Sequence, residues 1–135
     1  MRRVAWPLVL LALAGAAGGC GTGDDRDQAR AATERFLEAF ESDDGAAACG
    51  QLSEAAAEAL EDEEGKTCDA AVGDLELETG AVVGVEVYAT SAKVDLASRE
   101  TAFLERGPSG WKLSAVGCAH DAKPASHPYS CELEA

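Results

Sequence analysis

Five cysteines, two histidines and a large excess of carboxylates are the residues in this 135-residue chain with chemistry to offer. The cysteines stand at Cys20, Cys49, Cys68, Cys118 and Cys131. Structural zinc asks for close Cys-x2-Cys pairs, and this spacing has none, so no metal site is expected of them. The last four form an even set behind an apolar amino-terminal segment, which reads as two disulfides in an exported chain. Four cysteines admit three connectivities. The sequential one, Cys49–Cys68 with Cys118–Cys131, is the economical choice: the first staples the amino half and the second ties the tail. Loop-closure entropy gives each about 3 kcal/mol against the unfolded chain.

The other groups make weaker cases for chemistry. His120 and His127, with Asp121 beside the first, flank a proline-bearing stretch that fixes no coordination geometry. Glu61-Asp62-Glu63-Glu64 lacks the spaced oxygen ligands and turn glycine of a calcium loop, and reads as a solvated charge run. Glu86, Asp95, Glu105 and Tyr88 alternate with apolar residues in strand-like runs, which points them outward. A general base needs a shifted pKa and a neighbour to orient it, and neither is written here. Nor is there a G-x-S-x-G, H-E-x-x-H or phosphate-cradling glycine loop. No catalytic residue and no cofactor is assigned.

The use of the first cysteine depends on what precedes it, MRRVAWPLVLLALAGAAGGC. Arg2 and Arg3 open the segment, an apolar run follows from Val4 to Ala14, and small residues lead to Cys20. A membrane-spanning helix needs about 20 predominantly apolar residues, and glycines interrupt this run after about a dozen, so it reads as an export signal. Its ending, Ala17-Gly18-Gly19-Cys20, resembles the lipobox of bacterial lipoproteins, with Ala17 standing where a larger aliphatic is usual. The resemblance implies cleavage before Cys20 and acylation of its sulfur. The alternatives are ordinary cleavage near Ala17 with release, and an uncleaved anchor. The expected organisation is a lipoprotein signal peptide at 1–19, a lipid-anchored flexible tether at 20–27 and a single domain at 28–135, held on the outer face of the cell membrane.

Charge narrows the partners. The chain has 11 Lys+Arg and 25 Asp+Glu, and without Arg2 and Arg3 it stands at 9 against 25, a balance of −16. Such an excess repels nucleic acid and anionic headgroups and keeps a domain soluble beside the membrane to which it is tied. No nucleic-acid partner is expected.

The spacing of Phe36, Leu37 and Phe40, extended by Ala29, Ala32 and Thr33, predicts a helix over Asp27–Glu41, ended by Ser42-Asp43-Asp44-Gly45 with glycine taking the left-handed turn. Short helices are expected at Ala46–Leu52 and after an N-cap at Ser53, with Gly65 as a stop. Beyond Gly80 the period is that of strands: Val83, Val85 and Val87 on one face, then Val94 and Leu96, then Arg99–Arg106 anchored by Phe103. Gly107-Pro108-Ser109-Gly110 turns the chain into Trp111–Val116, with Trp111, Leu113 and Ala115 on one side. The tail from His120 to Tyr129 reads as a loop held by its disulfide. Helices followed by an antiparallel meander make an α+β domain whose sheet, curved against the amino-terminal helices, would form a cone.

The Phe36-Leu37-x-Ala39-Phe40 helix and the closing Gly110-Trp111-Lys112-Leu113 turn and strand resemble the superfamily of nuclear transport factor 2, ketosteroid isomerase and the SnoaL-like polyketide cyclases. Phe103-Leu104-Glu105-Arg106, Gly110 to Cys118 and Pro128-Tyr129-Ser130-Cys131 are similar to small lipoproteins of high-GC actinobacteria. The resemblance implies a cone whose pocket or core holds Phe36, Phe40, Phe103 and Trp111, and an outer sheet face suited to a homodimer. It does not select among docking to an envelope protein, binding of a small apolar ligand, and isomerase- or cyclase-like catalysis. The expectation taken forward is a docking module.

Overall fold

The computed structural model describes residues 22–121 and 126–135. The expected signal peptide, the expected acylation site Cys20, and Gly21 lie outside the described residues. Among the described residues four α-helices come first: α1 (Thr22–Glu41), α2 (Gly45–Cys49), α3 (Glu54–Glu64) and α4 (Cys68–Ala71), the last running into a 3-10 turn at Val72–Asp74. Among the same residues six strands follow: β1 (Val82–Tyr88), β2 (Ser91–Leu96), β3 (Thr101–Gly107), β4 (Gly110–His120), β5 (Tyr129–Ser130) and β6 (Leu133–Glu134). They pair antiparallel in the order β1-β2-β3-β4-β5, and β6 adds to β4. The chain is α+β, with its helices ahead of its sheet.

Helix α1 begins at Thr22, so Thr22–Asp27 are its first turns and not the flexible tether expected there. Glycine, threonine and aspartate are poor helix formers, but two things outweigh propensity here. Asp24 and Asp25 place negative charge in the first turn, where the helix dipole favours it. Asp25 is also held from outside the helix: it accepts from Arg106 Nη1 at 2.8 Å and from the Trp111 indole N–H at 3.3 Å.

The buried stripe of α1 is Ala29, Ala32, Thr33, Phe36 and Ala39, the i, i+3, i+4 pattern of one helix face. The Thr33 hydroxyl, fully buried, donates to the Ala29 carbonyl at 3.0 Å and so carries no unmet polar cost. These residues share one apolar core with Leu60 of α3, Val72, and Val94, Leu104, Leu113 and Leu133 of the sheet.

The end of α1 differs in detail from expectation. Asp43, not Gly45, takes the left-handed conformation, with φ of 56°. Asp44 caps α2, accepting from the Ala47 N–H at 3.1 Å. Gly45 meets a different need: a Cβ there would sit 1.9 Å from the Asp69 carbonyl oxygen, so only hydrogen lets α2 lie against α4. Ser53 caps α3 through the Ala56 N–H at 3.2 Å, and Gly65 stops it with φ of 63°. Glu61, expected as one of four solvated charges, accepts from the Cys68 N–H at 2.8 Å and so satisfies an open donor at the start of α4.

In the sheet, alternation holds wherever the pairing is regular. Ala92, Val94 and Leu96 of β2 and Ala102 and Leu104 of β3 are buried. Two expectations fail against it. A register shift between Val82 and Gly84 turns Val83 out to 63% exposure, while Val82, Val85 and Val87 pack on the core. Phe103 lies between the buried Ala102 and Leu104, and the two-residue period therefore carries it to the opposite face. Arg99, expected to open β3, sits in the preceding turn with φ of 79°.

Strand β4 runs on to His120, past the expected end at Val116, bending at Gly117, whose φ is 65°. The tail is not simply a loop, because β5 and β6 both pair with β4. On the same strand, Leu113 exchanges backbone bonds with Gln51 and Ser53 at 2.9 and 2.8 Å, which ties the α2–α3 connection to the sheet.

Candidate functional site

The two sequential disulfides, Cys49–Cys68 and Cys118–Cys131, are formed. The first joins the end of α2 to the start of α4, and the second joins β4 to the segment between β5 and β6. Disulfides persist in oxidising surroundings, which fits a location outside the cytoplasm. Among the described residues, no helix is long and apolar enough to cross a membrane.

The four aromatics expected to line one cone are not gathered in one place. Phe36, 1% exposed, occupies the interior between α1 and the sheet. Phe40 stacks on it at 6.3 Å but reaches the edge, where it lines a cleft of about 230 Å³ with Asp43, Asp44 and Asp69. Trp111 is buried beneath the first turns of α1, its indole bonded to Asp25 and the Arg106 guanidinium 5.7 Å from its ring centre. Phe103 stands on the other face, edge-on to Tyr129 at 5.0 Å, and His120 meets Tyr129 at 5.2 Å.

Among the described residues, the interior beside Phe36 has little room. Between Phe36, Leu37, Leu77, Leu96, Leu113 and Val116 a void of only about 10 Å³ remains, about one water-sized probe. Small-molecule pockets run to about 300–1,000 Å³.

The candidate acid and base groups lie on the outer face or in solvent. Asp95 accepts from Lys93 Nζ and from Thr101 Oγ1, both at 2.9 Å, and Lys93 also reaches Glu86 at 3.4 Å. The Asp95 carboxylate bonded to Lys93 holds that ammonium above its ordinary range against the opposing effect of partial burial. This is an ion cluster that joins β2 to Glu86 of the neighbouring strand β1. Tyr88 is 59% exposed, and Glu105 is exposed. His120 and His127 are exposed, and among the described residues no group of three or more His, Cys, Asp or Glu is placed to hold a metal.

One carboxylate is shifted. Glu100, at the rim of the interior, has its pKa raised above the usual carboxylate value chiefly by burial, although the Glu78 N–H that donates to its Oε1 at 3.0 Å acts the other way. The folded chain therefore holds this proton to higher pH than the unfolded chain does. Its contribution to stability is present below the ordinary carboxylate range and is lost as pH rises through the folded value. Glu100→Gln keeps the acceptor and removes the charge. It is expected to raise the melting temperature at pH 7 by about 1–2 °C, small because the group is largely solvent-screened, and the gain should vanish near pH 4. Calorimetry of both proteins across that range checks the sign.

Sequence reasoning missed Asp25, Arg106 and Tyr129 as organising residues. Asp25 and Arg106 are 81 positions apart, so no local pattern could join them. Compared with models of protein families, with curated proteins and with solved structures, the chain finds no significant match in any of the three.

Proposed function

We propose that the chain is an extracytoplasmic lipoprotein, acylated at Cys20, whose domain serves as an accessory or docking module for an envelope protein. In this reading the sheet curves as a cone against the amino-terminal helices, in the manner of the nuclear transport factor 2 superfamily. The observation that carries the reading is the filled interior. Phe36 and its neighbours leave a void of about 10 Å³, so a small apolar ligand has no room beside them. Contact must then be made on the surface. The outer sheet face offers Tyr88 and the Phe103–Tyr129–His120 ladder around the Lys93 ion cluster, a mixture of aromatic area and charge that suits a protein partner.

A photo-crosslinking residue at Tyr88, introduced in the native cells, tests both halves. A discrete adduct is expected in the wild-type background and is lost in Cys20→Ala, together with incorporation of labelled fatty acid. An adduct of twice the chain's mass identifies the partner as a second copy. Absence of any adduct overturns docking through this face, and an unlabelled wild type overturns the anchor.

A further inference from the structure

Lysines and arginines are scarce in this chain, and several rest against a carboxylate: Arg30 against Glu34, Lys66 against Asp74, Lys93 against Asp95, and Arg106 against Asp25. Arg35 of α1 and Lys112 of β4 behave differently. Arg35 Nε donates to the Gln51 side-chain oxygen at 3.3 Å, and Lys112 Nζ donates to the Gly50 carbonyl. Glu105 stands opposite Lys112 in strand register, yet the ammonium is bonded to Gly50. Two cations from separate elements thus converge on adjacent residues of the α2–α3 connection, and both acceptors there are neutral.

With Gln28, Gln51, Ser109 and Trp111, these two cations line a cleft of about 250 Å³ between α1 and the β3–β4 hairpin. Among the described residues its lining includes no carboxylate. Each cation uses only part of its capacity on the protein, since a guanidinium has five N–H donors and an ammonium three. The Gln28 and Gln51 amides and the Ser109 hydroxyl add neutral donors at the same cleft. A planar guanidinium fork, a point-charge ammonium and neutral donors from three segments suit an acceptor with several oxygens better than a carboxylate with two.

We propose that this cleft binds a phosphate-type oxyanion. Glu38 and Asp44, which line the adjoining cleft on the other side of Arg35, and the overall negative charge keep extended polyanions away, so the ligand is a single phosphate group. Two sources share that chemistry: a soluble phosphate ester and a phospholipid headgroup. Gln28 lies six residues into α1 from Thr22, a helical rise of about 9 Å, so a headgroup is within reach if Cys20 is acylated. The oxyanion site itself does not rest on the anchor; only the lipid source does.

The test uses the full chain, nitrogen-15 labelled, in maltoside micelles that contain no phosphate. Titration with inorganic phosphate at constant ionic strength should shift the amides of Gly50, Gln51, Ser109 and Gly110 and the Trp111 indole in a saturable way, where chloride does not. Lys112→Gln and Arg35→Gln should each weaken binding at least about tenfold, a loss of about 1.4 kcal/mol, while Lys112→Arg retains it and shows that the fold survives substitution there. Shifts that never saturate, that scatter over the surface, or that persist unchanged in Lys112→Gln overturn the site. Phosphatidylglycerol dispersed at low mole fraction in the same micelles that displaces the phosphate assigns the site to headgroups. Displacement by glycerol phosphate but not by the lipid assigns it to soluble esters, and failure of both overturns the ligand class.

Discussion

Phe36→Ala is expected to destabilise the protein by about 3–5 kcal/mol, the range for truncating a buried phenylalanine where the surroundings cannot collapse. The ring is 1% exposed and shares its surroundings with Thr33, Leu96, Leu113 and Val116, contributed by the helix and by two strands, none of which is free to move in alone. A loss of that size is a large share of the 5–15 kcal/mol that ordinarily holds a domain of this length folded. Urea unfolding followed by far-ultraviolet circular dichroism should show the midpoint fall sharply. Phe40→Ala is the comparison: that ring reaches the edge, and its removal should cost about 1 kcal/mol or less. The experiment also bears on function. A filled interior should become a cavity in Phe36→Ala, able to take benzene, whereas the parent should not bind it. A Phe36→Ala protein as stable as its parent would mean that the interior was open before the change, and the case against a small apolar ligand would fall with it.

What could be read in the sequence divides along physical lines. The two disulfides were legible because four cysteines in an exported chain leave few pairings, and the sequential one closes the shortest loops. The body of α1 was legible because Phe36 repeats the stripe begun by Ala29, Ala32 and Thr33. Its start was not. Propensity argued for a tether before Asp27, and what extends the helix to Thr22 includes the contact of Asp25 with Arg106 and Trp111, a partnership across most of the chain. Phe103 shows a different failure: its bulk suggested a core anchor, although alternation with Leu104 already placed it outside. Val83 could not have been placed without the register shift at Gly84, which is a property of two paired strands rather than of one. The two-residue strands β5 and β6 are too short to show a period. The oxyanion cleft was invisible for the same reason as Asp25, since Arg35, Gln51 and Lys112 come from three separate segments.

Gly45→Ala is the sharpest test of how the helical half is assembled. The added Cβ would lie 1.9 Å from the Asp69 carbonyl oxygen and 2.9 Å from its carbon, atoms of the backbone that no rotamer change can remove. Helices α2 and α4 must therefore separate, and they are not free to do so: Ala48 and Ala71 are fully buried, and the Cys49–Cys68 disulfide fixes one to the other. The expected cost is about 2–3 kcal/mol, the upper part of the range for overpacking. Gly73→Ala is the control. Nothing lies within 4 Å of its added Cβ, and restricting the unfolded chain there should leave stability unchanged or up to about 1 kcal/mol higher. The disulfide supplies the second axis of a cycle. Replacing both Cys49 and Cys68 by serine should cost about 3 kcal/mol by itself, because a 19-residue separation is released in the unfolded chain. In that background α2 is able to move off α4, so the further cost of Gly45→Ala should shrink by about 1 kcal/mol or more, the non-additivity expected of groups that share one constraint. Equal costs with and without the disulfide would show that the small buried alanines alone hold the two helices together, and a neutral Gly45→Ala would mean that α2 does not lie against Asp69 at all.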